Sequence, residues 1–337
     1  MINRLEIHGF KNIDNQEFIF KPITIFTGLN STGKSSVLQS VLLLAKETSF
    51  NGLHLGKILL SSFEIIRNRY TNTSVIQIKC TTDNGELIYR QTVSEKNINP
   101  GFPVKILPEY DRNLFYLSAN RKGVENDAFY SDDTICGYDG SYIYSTYEKE
   151  KSKTLDAGLI KDKQSHTLAA QVNYWLKEIL QLPVEFYTIK NSNEKVDVRF
   201  NSDGFMGLIP SQLGSGVSYL VKILILCLRA SKDDVIMIEN PEIHLHPGAQ
   251  SRLADFFSMI ANNGIQLIIE THCDNLLNKF RYCVYKKELK HTDIVIYYKK
   301  DIISPFVEID INDKGRYKED FPEGFFDATL SELLELE

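Results

Sequence analysis

Two sets of residues in this 337-residue chain have types and spacings suited to chemistry on a phosphate. The first is Gly28-Leu29-Asn30-Ser31-Thr32-Gly33-Lys34-Ser35-Ser36, which fits the pattern G-x-x-x-x-G-K-[ST]. Its glycines let the backbone curl until successive N–H groups point inward at a phosphate, and a helix starting there adds its partial positive charge. In that geometry Gly28, Asn30, Ser31, Thr32, Gly33 and Ser36 line the cradle. Lys34 reaches the outer phosphates, and the Ser35 hydroxyl is placed to ligate Mg2+. The ligand so described is ATP with Mg2+.

The second set lies beyond residue 210. Val235-Ile236-Met237-Ile238 is an apolar run ending in Glu239-Asn240-Pro241-Glu242. A buried strand ending in an acid holds a carboxylate near the nucleotide's Mg2+, usually through water, so Glu239 joins Ser35 as a metal residue. Glu242 is placed to polarise an attacking water. Upstream, Ser211–Ser218 reads SQLGSGVS and opens a helix, making Ser215 and Gly216 a second anion site by the helix-end dipole. Downstream, Gly264–His272 is a strand ending in a histidine that can register the γ-phosphate. The catalytic candidates are therefore Glu239, Glu242 and His272. His244 and His246 beside Glu242 have zinc-ligand types, but no second ligand-spaced His/Cys cluster completes a tetrahedral set.

These residues need elements to position them. Leu5–Phe10 alternates like a half-buried strand, with Phe18–Phe20 as its hairpin partner. Ile23–Thr27 is a short apolar, β-branched run that reads as a buried strand feeding the glycine loop. Val37–Ala45 continues as a helix, giving strand, loop and helix in order. Further on, Val75–Cys80 and Leu87–Val93 alternate around an Asp83-Asn84-Gly85 turn. Phe115–Ser118 is another strand. Arg121–Lys163 is polar and is expected as a mobile loop region or, more simply, a solvated surface segment. His166–Leu182 has helical periodicity, with Leu168, Val172, Trp175, Leu176, Ile179 and Leu180 on one side. No heptad pattern is sustained, so no long coiled-coil arm is expected.

Composition narrows the setting. With 38 basic and 44 acidic residues the net charge is −6, which opposes coating nucleic acid through global charge. One strip, Lys279–Lys300, is locally basic, with tyrosines interleaved, and is the place where nucleic acid contact is expected if there is any. The five cysteines are scattered without a CxxC pair, as in a chain with reduced thiols. The start MINRLEIHGFKN has no signal-peptide core. Val217–Leu228, interrupted by Lys222, is shorter than the roughly 20 apolar residues of a membrane span. A cytoplasmic location is expected.

In this order the motifs resemble those of ABC-type ATPases of the SMC/RecF/OLD kind. LEIHGFKNI and ITIFTGLNSTGKSS are similar to their N-terminal lobe, and IENPEIHLHPGAQSRLADFF to the Walker B and D-loop region of the OLD-like branch. YLSANRKG (116–123), GYDGSYIYSTY (137–147) and FPEGFFDATLSELLEL (321–336) resemble stand-alone OLD-like ATPases without a fused nuclease. The resemblance implies an α/β P-loop NTPase fold of the ABC head type. Residues 1–60 would form its N-terminal part, with an antiparallel β lobe and the P-loop. Residues 61–190 would be an inserted β and helical subdomain with polar loops. Residues 191–337 would carry the signature, Walker B and switch histidine.

It also implies a homodimer in which Lys34 and Ser35 of one copy face Ser215 and Gly216 of the other across ATP. His272 corresponds to the switch histidine, and His246 stands where many ABC proteins have the D-loop aspartate. One departure matters. Asn240 occupies the usual catalytic glutamate position, and an amide cannot accept a proton, so Glu242 substitutes or turnover is slow. The function implied is an ATPase that senses or regulates within a bacterial anti-phage defence or DNA-maintenance system. It would control a separate effector such as a nuclease, because no carboxylate cluster of nuclease type follows Ile296. The alternatives are a RecF-like ATP-dependent DNA-binding repair clamp and a nucleotide-gated scaffold without turnover.

Overall fold

A computed structural model of the chain describes residues 1–48, 60, 62–99 and 106–318. The resembling segment 321–336 lies outside them. In chain order the elements begin with β1 (Ile2–Phe10), β2 (Ile13–Ile19), β3 (Ile23–Gly28), α1 (Lys34–Thr48), α2 (Phe63–Ile66), β4 (Ile76–Thr82), β5 (Gly85–Gln91) and β6 (Lys96–Asn99). Next come β7 (Leu114–Leu117), β8 (Asp127–Phe129), α3 (Ile143–Glu150), α4 (Leu168–Leu180), β9 (Val184–Lys190), β10 (Lys195–Ser202) and β11 (Phe205–Leu208). The series ends with α5 (Ser215–Arg229), β12 (Val235–Glu239), α6 (Pro247–Asn262), β13 (Gln266–Glu270), α7 (Asp274–Tyr285), β14 (Ile294–Lys299) and β15 (Val307–Ile309).

Compactness divides the chain into two units. One is Met1–Tyr110 with Ile268–Asp274 and the described residues from Val284; the other is Asp111–Leu267 with Asn275–Cys283. The motif-based boundaries at residues 60 and 190 follow the order of the motifs rather than compactness.

In the first unit the antiparallel sheet runs β2-β1-β4-β5-β6. The β1–β2 hairpin turns at Lys11, whose φ is 53°. β1 also pairs with β4, placing Leu5 opposite Cys80 and Ile7 opposite Ile78, all buried. β3 runs parallel to β14, from Ile23 opposite Ile294 to Gly28 opposite Lys299, with β13 on its other side. Every residue of β3 is buried, as its unbroken apolar run requires of a parallel strand covered on both faces. α1 packs against β1, β3 and β4. An aromatic cluster joins these elements: Phe18 meets Phe26, Tyr297 and Phe306 edge-on at 5.4, 5.1 and 5.2 Å. Such pairs contribute about 0.5–1.5 kcal/mol each beyond their burial. The Tyr297 hydroxyl accepts the Ile19 N–H at 2.8 Å, which ties the end of β2 to β14.

In the second unit β10 is the centre of an antiparallel sheet, with β9 on one edge and β8 and β11 on the other. α3 and α4 cover it and pack on α5, which is buried along nearly all its length. α4 begins at a Thr167 cap and ends at Gln181 in the left-handed region, as its sequence periodicity anticipates. β7 and β12 pair in parallel, Leu114 opposite Val235 through Leu117 opposite Ile238.

The segment expected as a mobile loop, Arg121–Lys163, instead contains β8 and α3. Tyr144 and Tyr147 supply buried bulk against Phe186 at 5.6 and 4.7 Å, and Asp111 accepts the backbone N–H groups of Ile135, Cys136 and Gly137. Tyrosine reads as polar in a composition count, yet here it packs as core. All five cysteines are free and buried. Among the described residues no helix is long and apolar enough to cross a membrane.

Candidate functional site

The glycine loop has the backbone its sequence requires. Gly28 and Gly33 have φ of 134° and 105°, and Ser31 of 63°. A Cβ on Gly28 would stand 2.1 Å from the Lys299 carbonyl oxygen, and one on Gly33 would stand 2.0 Å from Asn12 Oδ1. These are positions that only glycine fills without strain. Inside the loop Thr32 Oγ1 donates to the Leu29 carbonyl at 2.9 Å, and the Asn12 amide donates to the Thr32 carbonyl. Lys34, 2% exposed, donates to the same Leu29 carbonyl at 2.6 Å. The loop opens on a cleft of about 500 Å³ whose walls include Ser31, Gly33, Lys34, Ser35 and Ser36.

Residues that sequence reasoning missed complete that cleft. Lys11, Asn12 and Gln39 line it near the loop, while Arg67, Arg69 and Tyr70 line it from the segment after α2. Asn68 holds that segment in place: its Oδ1 accepts the Tyr70 and Thr71 N–H groups at 2.8 and 3.1 Å, and its own N–H donates to Gly9. The signal available was the adjacency of Lys11-Asn12 to a hairpin turn, which places both side chains beside the next strand's end.

The missed residue closest to the chemistry is Glu270. β13 runs beside β3, with the Thr271 N–H donating to the Phe26 carbonyl at 3.0 Å. This brings Glu270 to Ser35, whose hydroxyl donates to Glu270 Oε1 at 3.0 Å. Its sequence signal resembles that of Glu239: an apolar strand ending in a lone acid. Burial lowers the Lys34 pKa, and the Glu270 charge acts against it. The hydroxyl and carboxylate oxygens of Ser35 and Glu270 are the hard donors that suit Mg2+.

His272 follows two residues after Glu270. Partial desolvation first, and the Lys34 charge second, push it down to about 4, against a hydrogen bond with the Gly28 backbone. In the nucleotide-free protein this imidazole is neutral at pH 7. A ring-proton NMR titration should find one of the seven histidines titrating near pH 4, absent from His272→Gln. A His272 midpoint above 6 would contradict that environment.

In the second unit the end of β12 is held by the segment after β7. Tyr116 Oη and the Ala119 N–H donate to the two oxygens of buried Glu239 at 2.7 and 2.9 Å. The Arg121 guanidinium donates to the Glu239 and Asn240 carbonyls at 2.6 and 2.9 Å. Asn240 and His244 have φ of 45° and 61°, left-handed values that non-glycine residues adopt at a cost and that cluster at functional turns. Burial pushes Arg121 down to about 10, against the charge of Glu242 and other neighbours.

The Tyr219 ring lies 5.2 Å from the Arg121 guanidinium and 5.1 Å from the His244 ring. Gly216 is required because a Cβ there would stand 2.3 Å from the His244 carbonyl oxygen. Thus α5 opens with Ser215 and Gly216 against the turn after Glu239, and its Gly214 cap supplies no side-chain acceptor to the first N–H groups. His246 caps α6 through Nδ1, which accepts the Gly248 N–H at 3.2 Å. Among the described residues Glu242, His244 and His246 form no metal-ligating cluster.

The basic strip Lys279–Lys300 is divided between the two units, and some of its charges are already engaged. Lys279 pairs with Asp255 at 3.1 Å. Lys299 is 2% exposed, donates to the Asn12 carbonyl at 3.2 Å, and is pushed down by burial to about 8. Lys286, Lys287, Lys290 and Lys300 remain exposed.

Residues 146–277 match a family described as an AAA ATPase domain. Across 92% of this chain and 98% of the other, the fold is similar to an SMC head bound to the C-winged helix domain of ScpA, with 14% identity and a TM-score of 0.62. It is also similar to an Smc head with an extended coiled coil, bound to the C-terminal domain of ScpA derived from Pyrococcus furiosus. That match has 13% identity, a TM-score of 0.51, and coverage of 100% of this chain and 99% of the other. In sequence, 144 residues are 27% identical to the DNA replication and repair protein RecF of Francisella tularensis subsp. holarctica, covering 40% of this chain. The match spans 41% of that relative's length. Fold and loop together define a P-loop ATPase head with mixed α/β architecture. Within that class the likeness to the SMC heads is one of fold, and the likeness in sequence to RecF covers part of each chain.

Proposed function

We propose that this chain binds ATP with Mg2+, joins two copies around the nucleotide, and hydrolyses it slowly. The observation that carries this reading is the convergence of Lys34, Ser35 and the Gly33 turn on one open cleft. The loop N–H groups bind phosphate oxygens, and Lys34 exchanges its Leu29 carbonyl for the outer phosphates. Ser35 ligates Mg2+, and Glu239 is assigned to the metal's water shell. Bound Mg2+ supplies neutralising charge to the phosphates. Glu242 is assigned to the attacking water, because Asn240 can orient water but cannot take its proton. A general base typically contributes about 10²–10⁴-fold in rate, so with an amide at position 240 and the base displaced to Glu242, turnover is slow rather than absent. Neutral His272 donates a hydrogen bond to the γ-phosphate, and Ser215 and Gly216 of the second copy close the site.

In this reading the chain is the regulatory ATPase of an OLD-like defence or DNA-maintenance module, acting on an effector such as a nuclease in trans. The similarity to RecF favours a second reading, an ATP-dependent DNA-repair clamp. One experiment addresses both. Glu242→Gln should trap an ATP-bound dimer by light scattering while phosphate release falls at least about tenfold. Normal phosphate release from the variant removes Glu242 as the base. Adding duplex DNA separates the readings, since a clamp binds it only with ATP and loses affinity steeply with salt.

A further inference from the structure

Beyond the assignment of Ser35 and Glu239, and resting on the ATP–Mg2+ reading, we propose that Glu270 is a direct carboxylate ligand of the Mg2+ site. We further propose that its charge makes ATP binding depend on the metal. Glu270 Oε1 lies 3.0 Å from Ser35 Oγ. In an octahedral Mg2+ shell with bonds of about 2.1 Å, neighbouring ligand oxygens stand about 3.0 Å apart, so the two atoms already have the spacing of adjacent ligands. The pair needs no rearrangement of the backbone, because β13 is hydrogen-bonded beside β3 and Thr271 is tied to Phe26. Ser35 then turns its hydroxyl proton away from Glu270 and offers a lone pair to the metal.

The second part follows from charge. Glu270 is 6% exposed, and its charge acts on Lys34, itself 2% exposed. In the empty cleft this buried carboxylate and ammonium offset one another. When ATP arrives, Lys34 is drawn to the phosphates, and Glu270, itself 6% exposed, is left facing a polyanion. Two like charges at such distances repel strongly unless a cation lies between them. Mg2+–ATP therefore satisfies the cleft, whereas metal-free ATP meets repulsion. A carboxylate that only fixed the Ser35 rotamer would not have this consequence, since an amide oxygen accepts the same hydrogen bond.

The test uses a fluorescent ATP analogue titrated into the full chain and into Glu270→Gln, each with Mg2+ and with EDTA. Manganese EPR on the nucleotide-bound forms reports the metal itself. The variant should bind metal-free nucleotide more tightly and Mg2+–nucleotide more weakly than the wild type. The ratio of the two dissociation constants should shrink at least about tenfold, with Mn2+ affinity falling in parallel. Glu270→Asp keeps the charge and should retain most of the metal dependence, a second readout if the glutamine variant folds poorly. An unchanged ratio, or equal losses with and without metal, overturns the proposal and leaves Glu270 as a shaper of the loop. A wild-type chain that binds nucleotide under neither condition would instead overturn the ATP reading itself.

Discussion

Lys34→Ala is expected to raise the dissociation constant for Mg2+–ATP about 10²–10⁴-fold, the largest single loss of binding in the chain. A hydrogen bond to a charged group is worth about 1.5–3 kcal/mol, and Lys34 is assigned to two phosphates, which gives that range. The ammonium is already 2% exposed and held 2.6 Å from the Leu29 carbonyl before any ligand arrives. Its desolvation is thus borne by the fold, and little further cost remains to be met on binding. Removing it also takes away a buried charge that offsets Glu270, so Lys34→Ala should be worse than the lost hydrogen bonds alone suggest. Lys34→Ala combined with Glu270→Gln should therefore bind better than Lys34→Ala. Isothermal titration of the three proteins decides the matter; an affinity within about threefold of wild type in Lys34→Ala would remove Lys34 from the phosphate site.

The parts of the site legible in the sequence are those whose geometry is local. Gly28 to Ser36 is nine consecutive residues, and two of the loop's three positive φ values fall on Gly28 and Gly33. The Glu239 strand and the Gly216 helix start were legible for the same reason. Glu270, Tyr116 and Arg121 were not, because their contacts come from strand order. β13 beside β3 brings Glu270 to Ser35, and β7 beside β12 brings Tyr116 to Glu239. Hydrophobic period reveals that a strand exists but not which strand lies next to it. Lys299 shows the same limit for charge. It counts toward a basic strip in the sequence, yet it ends a fully buried strand and turns its ammonium inward to Asn12. The segment from Arg121 to Lys163 shows it for composition, since Tyr144 and Tyr147 pack as core.

Lys222→Ala is expected to have the largest effect on stability, about 3–5 kcal/mol, by emptying a buried site and removing the closest ion-pair partner of Glu125. Lys222 interrupts the apolar run of α5 with a side chain that is fully buried. Its ammonium donates to the Lys122 carbonyl at 2.8 Å and to the Glu125 carboxylate, and lies 4.9 Å from the centre of the Tyr144 ring. Burial lowers the Lys222 pKa despite Glu125, so desolvation outweighs the attraction, and the pair is not itself a source of stability. That imbalance separates two substitutions. Lys222→Ala opens a cavity in α5 and leaves the Glu125 carboxylate, 13% exposed, with Lys122 at 3.5 Å in place of its closer partner, and should lower the melting temperature by about 10 °C for a unit of this size. Lys222→Met with Glu125→Gln removes both charges at similar volume and should fall within about 1 kcal/mol of wild type.

The same backbone segment carries Ala119 and Arg121, which hold Glu239 and the Asn240 turn. A single substitution that loosens Glu125 should therefore also depress ATP hydrolysis, and the double substitution should restore it. Thermal melts and phosphate release on the three proteins test both halves. If Lys222→Ala melts with the wild type, the pair is not buried as described. If the double substitution recovers stability but not turnover, Glu125 acts on the site through something other than the anchoring of its own segment.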